Sequence, residues 1–174
     1  MTVIRPATAA DGAAVASVYD PVVVESPASF EVEPPGPDEM GRRIAATAPR
    51  YPWLIAERDG AVLGYAYAAQ ARSRPAYRWC AEVSVYLGPA ARGQGLGGML
   101  LDAVLKDLAE RGFATVIAGV TLPNPASVRL FEGRGFEPVG VFKRAGYKLG
   151  AWHDVGWWQR FLYEGDEALP ETRR

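Results

Sequence analysis

The apolar positions of this 174-residue chain change their period several times along its length. Thr2–Arg5 sets two β-branched apolar side chains between polar ones, which suits a short first strand. Val15, Val18 and Tyr19 then recur at helical spacing behind Asp11, a residue suited to a helix start. Residues 26–37 hold four prolines and a glycine and predict a loop. Asp38 and Glu39 follow, placed to open a second helix where the helix dipole favours negative charge. Two apolar runs, Trp53–Glu57 and Ala61–Ala69, flank Asp59-Gly60, a strong signal for a two-residue hairpin turn.

A polar, arginine-bearing connection over Ala71–Arg78 leads into Trp79–Leu87, an apolar strand interrupted by one carboxylate, Glu82. A turn over Gly88–Gly93 precedes a helix from Gly95 to Arg111, with Leu101, Leu105 and Leu108 on one face and Leu100 and Val104 widening it. Gly112 stands where helices stop. Thr115–Val120 predicts a strand, Asn124-Pro125 opens a helix reaching about Gly133, and Phe136–Phe142 and Val155–Phe161 predict two more strands. The order is β-α-α-β-β-β-α-β-α-β-β, without a composition break or internal repeat. The expectation is one α/β (α+β) domain over residues 1–163, with a mixed central sheet of about seven strands and about four helices, and a polar tail over 164–174.

Composition narrows the class. With 49% hydrophobic and 22% charged residues the chain can build a core without disulfides, and its single cysteine, Cys80, permits no intrachain bridge. A net charge of −1 supplies no overall positive field to gather nucleic acid or anionic lipid. The first residues carry no signal-peptide pattern, and no run approaches the ~18–20 apolar residues needed to cross a bilayer. A cytoplasmic protein with no membrane or nucleic-acid partner is expected. One histidine, His153, and one cysteine leave no histidine- or cysteine-based metal site, and no Gly-x-Ser-x-Gly elbow accompanies the histidine.

The most informative stretch is the strand-to-helix turn holding Gly93, Gly95, Gly97 and Gly98. Glycines let the backbone approach a ligand, and the unpaired N–H groups at the helix start favour an anion. The stretch satisfies a dinucleotide pattern literally, G-x-G-x-x-G over Gly93–Gly98. That pattern requires a carboxylate at the end of the next strand for the ribose hydroxyls, and here the strand ends Gly119-Val120-Thr121-Leu122. No Gly-Lys-Ser/Thr follows, so a Walker loop fails as well. The same residues read R-x-x-G-x-G, from Arg92 through Gly95 to Gly97.

In this respect the chain resembles the GNAT acetyltransferase superfamily, whose loop binds the pyrophosphate of acetyl-CoA. The downstream stretch from Leu122-Pro123-Asn124-Pro125-Ala126-Ser127 to Gly135-Phe136 is similar to the family's second cofactor segment. Ser29-Phe30-Glu31, Tyr77-Arg78-Trp79 with Glu82 and Val85-Tyr86, and the segment Ala145–Val155 with Trp158-Gln159-Arg160 resemble the branch acting on phosphinothricin and methionine sulfone or sulfoximine. The resemblance implies the GNAT fold, acetyl-CoA as co-substrate and a homodimer. It places Arg92, Gly93, Gln94, Gly95, Leu96, Gly97 and Gly98 at the pyrophosphate. It places Val85, Tyr86 and Leu87 along the pantetheine, where one backbone N–H polarises the thioester, and adds Asn124 and Ser127 to the cofactor site. One departure is Phe131, at a position where the branch often carries a histidine considered for catalysis.

Acetyl transfer to an amine needs a neutral amine, a donor for the oxyanion and a proton for the leaving thiolate. Glu82, a carboxylate in an apolar strand upstream of the pyrophosphate loop by about the length of a thioester-bearing arm, is the expected base, a role the resemblance also implies. Tyr147 is the candidate acid. Arg72, Arg74 and Arg78 offer guanidinium forks to an anionic amino-acid substrate, with Phe30, Glu31, Val83 and Ser84 as further pocket residues. Two other functions remain open on the sequence: acetylation of another amine or a protein N-terminus, and a non-catalytic acyl-CoA-binding module.

Overall fold

A computed structural model describes residues 1–165, 167 and 169 of the chain. Seven strands form one sheet: β1 (Thr2–Pro6), β2 (Trp53–Arg58), β3 (Ala61–Gln70), β4 (Cys80–Leu87), β5 (Thr115–Leu122), β6 (Glu137–Lys148) and β7 (Ala151–Phe161). Four α-helices pack against it: α1 (Gly12–Glu25), α2 (Gly36–Thr47), α3 (Leu96–Glu110) and α4 (Pro125–Glu132). The order across the sheet is β1-β2-β3-β4-β5-β7-β6, antiparallel throughout except for β4 and β5. The strand and helix order is the one expected from periodicity. The proposed tail over 164–174 lies largely outside the described residues.

Strand alternation divides the core between the two faces. On one face Leu100, Leu101, Val104, Leu105 and Leu108 of α3 pack on Ala66, Ala68, Ala81, Val83, Val116 and Ala118, small side chains that let the helix approach closely. On the other, Val15, Val18, Tyr19 and Val23 of α1 and Met40 and Ile44 of α2 cover Trp53, Ile55 and Tyr65. Because Ala81 and Val83 point towards α3, Glu82, Ser84 and Tyr86 point towards α1.

The larger departures from the expected boundaries are at α2 and at the last two strands. Helix α2 begins at Gly36 rather than at Asp38, because Pro37 fits the first turn of a helix, where its missing N–H has no partner to lose. The last two strands are much longer than Phe136–Phe142 and Val155–Phe161. They run to Lys148 and from Ala151 around the two-residue turn Leu149-Gly150, whose φ angles of 52° and 76° match those of Asp59-Gly60 at 52° and 79°. The polar residues that interrupt the apolar pattern form a bulge. Arg144 adopts φ 50°, its N–H donates to Asp154 Oδ1 at 2.8 Å, and Lys143 Nζ reaches Asp154 Oδ2 at 3.0 Å.

The long hairpin holds the α1–α2 loop in place. Lys148 is buried, and its Nζ donates to the carbonyls of Ser26 at 2.9 Å and Ser29 at 2.6 Å. The Phe30 ring lies on Gly146, where a side-chain methyl would collide with it. Replacing Lys148 with Met would keep the packing and strand both carbonyls. The expected loss is about 2 kcal/mol and a drop of roughly 4–8 °C in the unfolding midpoint, readable by calorimetry. An unchanged midpoint would show that the loop is held by other contacts.

Candidate active site

The sheet opens at its centre. β4 and β5 run parallel and pair only at Cys80–Glu82 with Thr115–Ile117. Beyond that point β4 continues to pair with β3, and β5 with β7, but no pairing joins Val83–Leu87 to Ala118–Leu122. Along this gap the alternate backbone N–H and C=O groups that do not bond β3 or β7 face space instead of a neighbouring strand, a set of donors and acceptors that a ligand can use. A cleft of about 700 Å³ occupies it, lined by Val83–Leu87, by Gly119–Thr121, by the loop and first turn of α3, by α4, and by Val18, Pro21 and Val22 of α1.

The far end of the cleft is an anion site built from backbone. Gly93 and Gly95 adopt φ 72° and 77°, a region side chains resist, and both line the cleft. The first α-helical bond of α3 runs from Met99 N–H to the Gly95 carbonyl at 3.1 Å, so the N–H groups of Leu96, Gly97 and Gly98 have no helical partner. Arg92 lines the same end, with its Nε 3.4 Å from the Leu87 carbonyl. Gln94 and Leu96 do not line the cleft. The Gln94 amide donates to the Ala90 carbonyl and accepts from Arg58, and the Leu96 side chain is buried. Opposite, Asn124 Oδ1 caps α4 by accepting from Ser127 N–H at 3.1 Å, and both residues line the cleft.

Glu82 stands where the strands part, directly opposite Ile117. It is half-buried, and burial pushes its carboxyl above the ordinary range, with nearby Arg72 pulling it partly back. Arg72 lies over the Trp157 ring, 5.6 Å from its centroid. Trp157 pairs with Gly119, placing it on the Glu82 face of the sheet. Ser84, on the same face, lines the cleft beside the Tyr67 phenol.

The structure does not gather all the residues singled out from the sequence. Arg74 and Arg78 line a separate cavity of about 310 Å³ with Arg50, Tyr51 and Gln70, and Arg78 stacks 3.9 Å over Trp79. Gln70 pairs with Ala81 and shares the α3 face, so this cavity lies across the sheet from Glu82. Tyr147 is exposed and meets Trp152 edge-on at 5.4 Å, because alternation turns Lys148 inward and Tyr147 outward. Glu31 is held in an ion pair with Arg43 at 2.6 Å and accepts the Tyr19 hydroxyl at 2.8 Å. Val83 buries its side chain in the α3 core and offers only backbone to the cleft. Phe30 sits 6.4 Å from His153, whose Nε2 lies 2.9 Å from the Lys148 carbonyl. Phe131 is buried against Phe136 at 5.2 Å and forms part of the cleft floor.

A parted strand pair, a glycine-built anion site at a helix start and a half-buried carboxylate at the apex define a transferase that draws an acyl group from a long phosphate-bearing carrier. The chain belongs to the acetyltransferase (GNAT) family, whose model matches residues 21–136. It is 45% identical to the phosphinothricin N-acetyltransferase of Streptomyces viridochromogenes, over 98% of this chain and 91% of that one. It is 34% identical to the L-methionine sulfoximine/L-methionine sulfone acetyltransferase of Salmonella typhimurium, over 97% and 98%. The crystal structure of a GNAT superfamily phosphinothricin acetyltransferase from Sinorhizobium meliloti in complex with acetyl-CoA superposes with a TM-score of 0.93 at 38% identity, covering 98% of this chain and 94% of that one. Acetyl-CoA is the co-substrate of this protein.

Because the Glu82 carboxyl is raised by burial, a base at this position gives an acid limb in kcat/KM above the usual carboxylate range, with activity rising as pH rises through it. Glu82→Gln should abolish the limb and lower kcat by about 10²–10⁴-fold while acetyl-CoA still binds. Arg72→Ala, which removes the neighbouring positive charge, should move the limb to higher pH. A Glu82→Gln profile with the limb intact would assign it to another group.

Proposed function

We propose that the chain transfers acetyl from acetyl-CoA to the α-amine of a small amino-acid-like substrate of the phosphinothricin, methionine sulfoximine or methionine sulfone type. The observation that carries this is the position of Glu82, half-buried at the apex of the parted strands with Arg72 beside it. The α-amine of an amino acid is largely protonated near neutral pH, and a carboxylate of raised pKa takes up its proton directly or through water. The neutral nitrogen then attacks the thioester carbonyl. Backbone N–H groups of Val83–Leu87 facing the gap stabilise the oxyanion, and collapse breaks the carbon–sulfur bond, the nitrogen losing a proton and the departing CoA thiolate taking one up directly or through water. The Arg72 guanidinium suits the substrate's carboxylate or its phosphinate or sulfone oxygens. Ser84 and Phe30 complete the acceptor end, and no proton transfer is assigned to Tyr147 or Phe131.

Two further points belong to this reading. Residues 1–163 act as one domain, and the lone thiol Cys80 suits a reducing cytoplasm; among the described residues no helix is long and apolar enough to cross a membrane. The chain works as a homodimer. Support comes from the β6–β7 hairpin at the sheet edge, which exposes Val139, Val141, Phe142, Tyr147, Leu149 and Trp152, more apolar surface than one hairpin of a monomer usually shows. The α1–α2 loop, pinned to that hairpin by Lys148, narrows the acceptor end and favours a small molecule over a folded protein's N-terminus.

A thiol-release assay with acetyl-CoA across amino acids and their phosphinate, sulfone and sulfoximine analogues should find its highest kcat/KM among the analogues. Turnover confined to peptides or unrelated amines contradicts the substrate class. Light scattering on the eluting protein should give twice the chain mass of 18.8 kDa. A mass of one chain at micromolar concentration contradicts the dimer.

A further inference from the structure

The cofactor loop motif ends at Gly97, yet the helix carries a further glycine, Gly98, inside its first turn. A glycine there costs roughly 0.5–1 kcal/mol relative to alanine and has to be explained by what approaches it. The neighbour is Arg134. A methyl group on Gly98 would run into the Arg134 guanidinium, whose Nη2 comes nearest at this point. Gly98 is also the third residue of α3, so the guanidinium rests beside the N–H groups of residues 96–98 that have no helical partner. Both Gly98 and Arg134 line the cofactor cleft.

Arg134 is well anchored for a residue on a turn. Its N–H donates to the Phe131 carbonyl at 3.0 Å, and its carbonyl accepts from Arg160 Nη1 of β7 at 2.6 Å. Gly135, at φ 75°, then turns the chain into β6. The Nε of Arg134 reaches Asp102 Oδ1 at 3.3 Å, one turn further along α3. That contact engages one corner of the guanidinium and leaves the Nη edge against Gly98. Asp102 is mostly exposed, so the pair is weakly held and does not cancel the charge facing the cleft.

Building on acetyl-CoA as co-substrate, we propose that Arg134 is a phosphate-binding residue that closes the cofactor's pyrophosphate between the α3 loop on one wall and its own guanidinium on the other. The loop supplies backbone N–H groups and half a charge from the helix dipole, and Arg134 supplies a full charge and a planar fork. Gly98 is glycine because that fork must lie against the helix.

The test separates this from a general weakening of the enzyme by varying the acyl carrier. Arg134→Leu, assayed with acetyl-CoA, acetyl-dephospho-CoA and acetylpantetheine, should raise KM about tenfold for the first two with kcat nearly unchanged, and leave kcat/KM for acetylpantetheine at the wild-type value. Arg134→Lys, which keeps the charge without the fork, should fall between the two, and calorimetric titration of CoA should show the same order. A KM for acetyl-CoA equal to wild type overturns the proposal. So does an equal loss on acetylpantetheine, or a loss confined to acetyl-CoA, which would place Arg134 at the 3′-phosphate. If the wild-type protein acetylates no amine while Arg134→Leu weakens CoA binding, the acetyltransferase reading fails and the phosphate assignment stands.

Discussion

β4 and β5 pair for three residues and then separate, and the rest of the site is arranged around that separation. A parallel pair that stayed together would satisfy its own backbone and leave nothing for a ligand. By parting, the strands expose edge groups in the middle of a sheet while β4 stays paired with β3 and β5 with β7, so the scaffold stays held together and the gap becomes adhesive. An extended pantetheine arm with its two amides is chemically a short strand, and it fits a slot lined by strand edges. Once the arm lies there, the position of its ends is determined. In the proposed reaction the phosphates lie at the start of α3 and the thioester lies towards the apex where Glu82 stands.

The electrostatics of the two ends are opposite in kind. At the helix start, glycines with positive φ, unpaired N–H groups, Arg92 and Arg134 gather positive potential in a partly solvated region. At the apex, burial raises the Glu82 carboxyl above the ordinary range, and the proposed reaction uses it as the base. Arg72 moderates that effect and is at hand for an anionic substrate group.

Much of this was legible in the sequence, because it rests on local periodicity and local motifs. The order of eleven elements, the Asp59-Gly60 hairpin, the glycine-rich helix start and the lone carboxylate of β4 all follow from residues near one another in the chain. What was not legible depends on register and on which face a strand turns inward. Arg72, Arg74 and Arg78 look alike on one polar connection, yet the backbone carries the first to Glu82 and the other two to a cavity across the sheet. Tyr147 and Lys148 are neighbours in a strand, and alternation buries the lysine and exposes the tyrosine, against the usual preference of both. In the sequence Gly98 is grouped with the other loop glycines at the pyrophosphate. Its reason, Arg134, lies 36 residues away in sequence and is brought there by the α4–β6 turn.

The claim that the parted strands hold the cofactor can be examined amide by amide, without reference to turnover. Hydrogen exchange of the protein with and without acetyl-CoA should show new protection at the gap-facing amides within Val83–Leu87 and at the N–H groups of residues 96–98. Cys80–Glu82, already paired with β5, should change little. Protection that appears uniformly along β4, or that leaves Val83–Leu87 unchanged while acetyl-CoA is bound, would contradict the assignment of the gap as the cofactor slot.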